Sequence, residues 1–302
     1  MKYRPLGSSG INISSLGVGC SSYFGSPSFP ENDALLILSR ALDLGINHFD
    51  TGALYGNGFA ERRLGKFLGG LAEKSSLIIS TKAGTFRTAK NKVYFDFSPA
   101  AIESSFRQSQ KNLGLETIPI LYLHGPSVED LRPELIESFR KLKHSGKIRF
   151  AGVNSNNPSV IIAALETKDI DVLMFDYNIL CQSNSALAAR AMQSGKAAIG
   201  STPLAQNLYS NSLWTPRRRA DLWYLARALL RHPRQLLAAQ KYRFINSVPG
   251  YTGAEVALSF AYKEANFSSF VFGTTSMARL EQNIATVDRN LPNDIFERIT
   301  SR

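Results

Sequence analysis

Residues 46–58 read INHFDTGALYGNG: a short apolar run that stops at an aspartate, followed by a loop rich in glycine. The run Ile46–Thr51 has the length and composition of a buried strand. The glycines after it let the backbone bend sharply, because they accept dihedrals closed to other residues. The same kind of unit recurs in both directions. Strand-like runs are Leu16–Cys20, Ile46–Thr51, Leu77–Lys82, Ile118–His124, Arg149–Asn154, Val172–Asn178, Ala197–Pro203 and Phe267–Gly273, eight in all. Amphipathic segments separate them. Asn32–Leu44 sets Leu35, Leu38, Ala41 and Leu42 on one face, with Asn32 as its expected N-cap and Gly45 past its end. Ser98-Pro99 opens another, whose apolar spacing runs Ile102, Phe106, Ser109, Leu113. Arg132–Lys143, Pro158–Glu166 and Ala186–Ser194 follow the same pattern.

Apolar strands alternating with helices predict an α/β protein with a parallel sheet covered by helices. Eight repeats favour closure into a (β/α)8 TIM barrel over an open doubly wound sheet. Tyr3–Leu6 and Ile11–Ile13, joined through Gly7–Gly10, predict a β-hairpin that caps one end of the barrel. No Pro/Gly/Ser-rich tract divides the chain, so residues 1–302 read as one barrel domain, with 211–250 as an insertion after the seventh strand.

The 302 residues are 44% hydrophobic and 20% charged, enough apolar material for a large core. No run approaches the ~18 apolar residues of a membrane span. MKYRPLGSSG lacks the apolar stretch of a secretory signal. Cys20 and Cys181 form no metal or redox spacing. The expectation is a metal-free cytoplasmic protein. Net charge is +11, but residues 217–243 hold eight Lys/Arg against Asp221 alone, so +7 of it is local.

A barrel puts its chemistry at the C-terminal ends of the strands. Asp50, Lys82 and His124 each stand at such an end, and Tyr55 follows in the glycine-rich loop. One such residue alone reads as a structural ion pair; four at neighbouring strand ends read as a site. A carbonyl that accepts hydride needs a proton for its developing alkoxide. Tyrosine alone is a weak acid, and an adjacent Lys82 ammonium would lower its pKa. Asp50 would hold Lys82 charged, and His124 would hydrogen-bond the substrate oxygen. This group supplies no hydride, so a cofactor is required.

The run FDTGALYGNGFAERRLGKFL resembles the aldo-keto reductase stretch in which D-T-A-x-x-Y-G precedes an E-x-x-[LIV]-G helix. STKAG, LYLHGPS, GVNSNN, YNIL, STPLAQNL and GTTSMARLEQNI follow in that family's order, so the resemblance spans about Tyr3 to Asn283. It implies a tetrad of Asp50, Tyr55, Lys82 and His124, with Tyr55 as general acid/base. It also implies a nicotinamide cofactor bound without a G-x-G-x-x-G loop. Thr51 and Asp50 would lie near the nicotinamide ribose, and Asn154 and Ser155 at its carboxamide. Pro203, Leu204, Gln206 and Asn207 would line the pyrophosphate tunnel. Gly273, Thr274, Arg279, Gln282 and Asn283 would hold the adenosine end. Arg279 suits a 2′-phosphate, which favours NADP(H) over NAD(H). Three positions depart from the family pattern: Asn154-Ser155 is reversed, Met174 stands where glutamine is common, and Ser201 stands where some relatives have tyrosine.

Tyr23, Phe24, Phe29 and Phe86 follow the first and third strands, where they could wall an apolar substrate pocket. In the insertion, Asp221–Arg231 reads as an amphipathic helix. Leu222, Leu225 and Leu229 would face the barrel, with Arg227, Arg231 and Arg234 on a charged face, and His232-Pro233 would end it. Its plainest role is a solvated excursion; the alternatives are capture of an anionic substrate or contact with an acidic partner or membrane. Interleaved stacking aromatics are missing, so nucleic acid is not expected. The leading expectation is NADP(H)-dependent reduction of a small-molecule carbonyl. The competing ones are alcohol or sugar oxidation, a cofactor-binding regulatory subunit, and a barrel lyase or isomerase.

Overall fold

The computed structural model describes residues 1–217, 219–231 and 233–302. The chain begins with an antiparallel hairpin of β1 (Tyr3–Pro5) and β2 (Asn12–Ser14). It continues through β3 (Leu16–Gly19), α1 (Glu31–Asp43), β4 (His48–Asp50), α2 (Phe59–Gly69) and β5 (Ile78–Ala83). A second hairpin, β6 (Thr85–Arg87) and β7 (Val93–Phe95), precedes α3 (Pro99–Leu113) and β8 (Ile118–His124). Then come α4 (Pro133–His144), β9 (Ile148–Asn154), α5 (Pro158–Glu166), β10 (Val172–Asp176), α6 (Ser185–Gln193) and β11 (Ala197–Ser201). After β11 lie α7 (Arg219–Arg231) and α8 (Pro233–Ala239), followed by α9 (Gly253–Tyr262), β12 (Ser269–Phe272), α10 (Met277–Ala285) and α11 (Asn293–Thr300).

Eight parallel strands close in the order β10-β11-β12-β3-β4-β5-β8-β9, the (β/α)8 TIM barrel expected from the alternating pattern. Two apolar clusters follow from strand alternation. Inward residues Ile78, Ile120, Tyr122, Val172, Met174 and Ile199 fill the barrel, and Leu6 and Ile13 of the β1–β2 hairpin join them at one end. Outward residues such as Phe49, Ile79 and Leu121 pack under the helices. The hairpin therefore caps the barrel, as its sequence implied.

Helix boundaries follow local chemistry. Ser98 caps α3 by accepting from the Ala101 N–H, and Thr252 with Glu255 forms a capping box on α9. The expected cap at Asn32 is not found. Helix α1 starts two residues earlier, at Glu31 after Pro30, with no side-chain cap. Glu31 and Asp33 in its first turn favour that start through the helix dipole instead.

The insertion corrects a second expectation. Leu222 (57% exposed) and Leu229 (49%) face solvent, whereas Ala228 (2%) is buried and Tyr224 and Leu225 pack on the core. Helix α7 carries apolar residues on every side, so periodicity alone selects no single buried stripe; the small Ala228 allows the close approach. The expected end at His232 lies outside the described residues. Among the described residues, no helix is long and apolar enough to cross a membrane.

Candidate active site

Strands β4, β5 and β8 are neighbours in the barrel, and their C-terminal ends bring Asp50, Lys82 and His124 to one mouth. The Lys82 ammonium donates to Asp50 Oδ2 at 2.6 Å, to Asp50 Oδ1 at 2.8 Å and to the Thr51 carbonyl at 2.7 Å. Both side chains are almost wholly buried, at 1% and 5% exposure. Tyr55 arrives on the loop after β4, its ring centroid 5.0 Å from Lys82 Nζ. His124 meets that ring edge-on, 5.8 Å between centroids at 87°.

Glycine makes this loop possible. Gly56, directly after Tyr55, has φ +57°, and a Cβ there would lie 1.7 Å from the Gly25 carbonyl oxygen. The loop is thus seated on the segment after β3. Its far end is anchored by the buried Glu61 of α2, which accepts from Thr81 Oγ1 at 2.7 Å and Asn112 Nδ2 at 2.8 Å.

Environment sets the protonation states. Burial raises the Tyr55 phenol; the Lys82 charge opposes this without reversing it, so Tyr55 titrates above its ordinary value of 10. Lys82 acts in the expected direction, but desolvation outweighs the ammonium. Burial pulls Lys82 down, but the charges and hydrogen bonds of Asp50 and Tyr55 more than offset it, leaving the ammonium firmly protonated. Burial, with help from the Lys82 charge, lowers His124 to about 4, so its ring is neutral at pH 7.

A polar column beneath these residues escaped the sequence reading. Ser80 Oγ donates to Asp50 Oδ1 at 2.7 Å. His48 Nε2 lies 3.5 Å from the same Ser80 Oγ, and His48 Nδ1 lies 3.0 Å from Ser269 Oγ. With the Ser80 proton committed to Asp50, His48 Nε2 donates and Nδ1 accepts from Ser269. Burial lowers His48 to about 4, consistent with this neutral ring. Gly17 leaves the room it needs, since a Cβ there would approach His48 Nδ1 to 2.6 Å. The missed signal was period two: His48, Ser80 and Tyr122 stand two residues before Asp50, Lys82 and His124, on the same inward face.

The remaining expected residues lie at the same end of the barrel. Asn154 closes β9 and donates through Nδ2 to the Met174 carbonyl, while Met174 points its side chain into the barrel. The neighbouring Ser155 is buried and accepts from the Asn157 N–H. Ser201 donates to Asp176 Oδ1 at 2.6 Å. After β11, Thr202, Ala205, Gln206 and Asn207 all adopt positive φ, a strained run bracketing Pro203 and Leu204. Gly273 and Thr274 follow β12; Arg279 is exposed in the first turn of α10, Gln282 reaches Thr252 Oγ1, and Asn283 is buried. Two buried polar atoms at the mouth, Thr51 Oγ1 and His124 Nδ1, lack a hydrogen-bond partner among the described residues.

The four aromatic candidates divide. Phe24 and Phe29 belong to the outer core, where Arg63 donates to both their carbonyls and pins the loop. Phe86 stacks on Tyr94 within the β6–β7 hairpin, centroids 5.5 Å apart. Tyr23 meets Trp223 of α7 at 6.2 Å, a contact the sequence did not suggest. Arg227, expected on a solvated face, turns inward and donates to Ser22 Oγ.

The aldo/keto reductase family model matches residues 15–302. The L-glyceraldehyde 3-phosphate reductase of Escherichia coli (strain K12) is 30% identical, covering 95% of this chain and 88% of its own length. The L-galactose dehydrogenase of Arabidopsis thaliana is 28% identical over the same shares. The solved structure of aldo-keto reductase AKR11C1 from Bacillus halodurans, in its holo form, superposes with a TM-score of 0.79 at 28% identity, covering 100% and 96% of the two chains. The chain belongs to the aldo/keto reductase family of oxidoreductases.

Proposed function

We propose that this chain is an NADP(H)-dependent oxidoreductase that reduces an aldehyde or ketone to the alcohol, with Tyr55 as general acid/base. The observation that carries the reading is the buried Lys82–Asp50 pair beside Tyr55, with a neutral His124 ring edge-on to the phenol. When bound, the dinucleotide supplies the hydride.

The chain's own residues handle the proton. Tyr55 is a neutral phenol at pH 7 and gives its proton to the carbonyl oxygen as charge develops there. The Lys82 ammonium stabilises the phenolate that remains, and Asp50 keeps Lys82 charged and aimed. The neutral His124 ring donates a second hydrogen bond to the same oxygen and orients the substrate. In the reverse direction the phenolate of Tyr55, stabilised by Lys82, takes up the alcohol proton. The reductase and dehydrogenase names of the two curated relatives are compatible with either direction.

Unpartnered Thr51 Oγ1 fits a ribose hydroxyl beside Asp50, and Asn154 and Ser155 fit the carboxamide. The strained turn around Pro203, Leu204, Gln206 and Asn207 suits a pyrophosphate passing close to backbone. Gly273, Thr274, Gln282 and Asn283 would take the adenosine, and exposed Arg279 at the helix N-terminus its 2′-phosphate. A reducing cytoplasm suits the two free thiols, Cys20 and Cys181. The test is a panel of aldehydes, ketones and alcohols assayed with NADPH and NADH by dinucleotide absorbance. Carbonyl-dependent oxidation of NADPH is expected; no turnover and no binding of either dinucleotide would overturn the reading.

A further inference from the structure

Helix α7 sends one cation back toward the barrel. Arg227 donates through Nη1 to Ser22 Oγ on the segment after β3, and its guanidinium carbon sits 5.5 Å from the Trp223 ring centroid. Trp223 in turn meets Tyr23 on that same segment. Ser22 holds a left-handed backbone, φ +58°, a conformation that strains a non-glycine residue. The latch between insertion and mouth is therefore built from a strained acceptor serine, an aromatic shelf and a guanidinium.

The segment after β3 also carries Gly25, against whose carbonyl the Tyr55 loop is seated at Gly56. Arg227 thus brings a guanidinium to the segment that borders the mouth, on a planar fork suited to carboxylate and phosphate oxygens.

We propose that Arg227 is a specificity-determining residue that selects carbonyl substrates carrying a carboxylate or phosphate group. The inference rests on the reductase reading above and names its substrate class. The acidic group lies against the guanidinium while the carbonyl oxygen meets Tyr55 and His124, so the insertion contributes binding energy that a neutral aldehyde does not collect.

The test compares succinic semialdehyde with pentanal, and glycolaldehyde phosphate with glycolaldehyde, in the full-length protein and in Arg227→Met and Arg227→Lys. Loss of a charge-assisted hydrogen bond predicts a fall in kcat/KM of about 10- to 100-fold for the charged member of each pair in Arg227→Met. The neutral member should change by less than about 3-fold, and Arg227→Lys should fall between. A binding readout needs no turnover: Trp214→Phe leaves Trp223 as the sole tryptophan, and succinate should change its fluorescence saturably unless Arg227→Met is also present. Equal losses for charged and neutral substrates, or weakened NADPH binding in Arg227→Met, would overturn the proposal by assigning Arg227 to the fold or to the dinucleotide. A protein that reduces no carbonyl but still shows the Arg227-dependent succinate response would instead remove the reductase reading.

Discussion

Replacing Asp50 with Asn removes the charge that holds Lys82 and leaves an ammonium in a site of 1% exposure. Breaking a buried pair in this way costs about 3–5 kcal/mol. A second argument bounds the cost from above. Lys82 can escape by losing its proton, and doing so at pH 7 from an unfolded value near 10.4 costs about 5 kcal/mol at 1.36 kcal/mol per unit. In Asp50→Asn the unfolded chain then binds one more proton than the native one, so stability rises with pH. At pH 9 the same bound falls to about 2 kcal/mol. The double variant Asp50→Asn/Lys82→Met has neither charge and should recover most of the loss. Urea unfolding followed by far-UV circular dichroism at pH 7 and pH 9 reads all of these. A single-variant loss below about 1 kcal/mol, a loss unchanged between the two pH values, or a double variant less stable than Asp50→Asn would refute the reasoning.

Two further outcomes are expected. His48 is buried and lowered to about 4 from an ordinary 6.5, so on acidification the unfolded chain takes up its proton first. Stability is lost as pH falls below 6.5, by about 3 kcal/mol from His48 alone near pH 4. His124 adds in the same direction, so urea midpoints should drop across this window, and less steeply in His124→Gln; equal slopes in both proteins would contradict the assignment. At the other end of the site, Arg279→Ala should weaken NADPH binding about 10-fold while leaving NADH unchanged, as read by fluorescence titration; equal effects on both would remove the 2′-phosphate role.

The barrel was legible because its strands are short, apolar and punctuated. Six of the eight runs end at a turn residue or an ionisable group (Lys82, His124, Asn154, Asn178, Pro203, Gly273), and the glycines at 45, 146 and 195 adopt the positive φ expected after helices. Asp50, Lys82 and His124 stood out together, because any one alone reads as a structural ion pair whereas ionisable groups at the ends of three strand-like runs in succession read as a site. What lay beneath them did not. In a strand buried on both sides, apolar neighbours hide which face is inward, so His48 and Ser80 looked like ordinary strand residues. The β6–β7 hairpin was overlooked because Thr85–Phe95 alternates too briefly, and its Val93, Tyr94 and Phe95 are exposed. Arg227 was assigned to solvent because helix α7 has no unique apolar stripe, and only tertiary packing on Ala228 turns it toward Ser22.

The claim that Tyr55 is the proton donor is tested most directly by Tyr55→Phe, which removes one oxygen and keeps the ring that faces His124. Single-turnover reduction of a carbonyl identified in the panel should slow by about 10²- to 10⁴-fold, with the NADPH dissociation constant within about 2-fold of the unmodified protein. Turnover within about 3-fold of the unmodified protein would contradict the account and move the proton to another group.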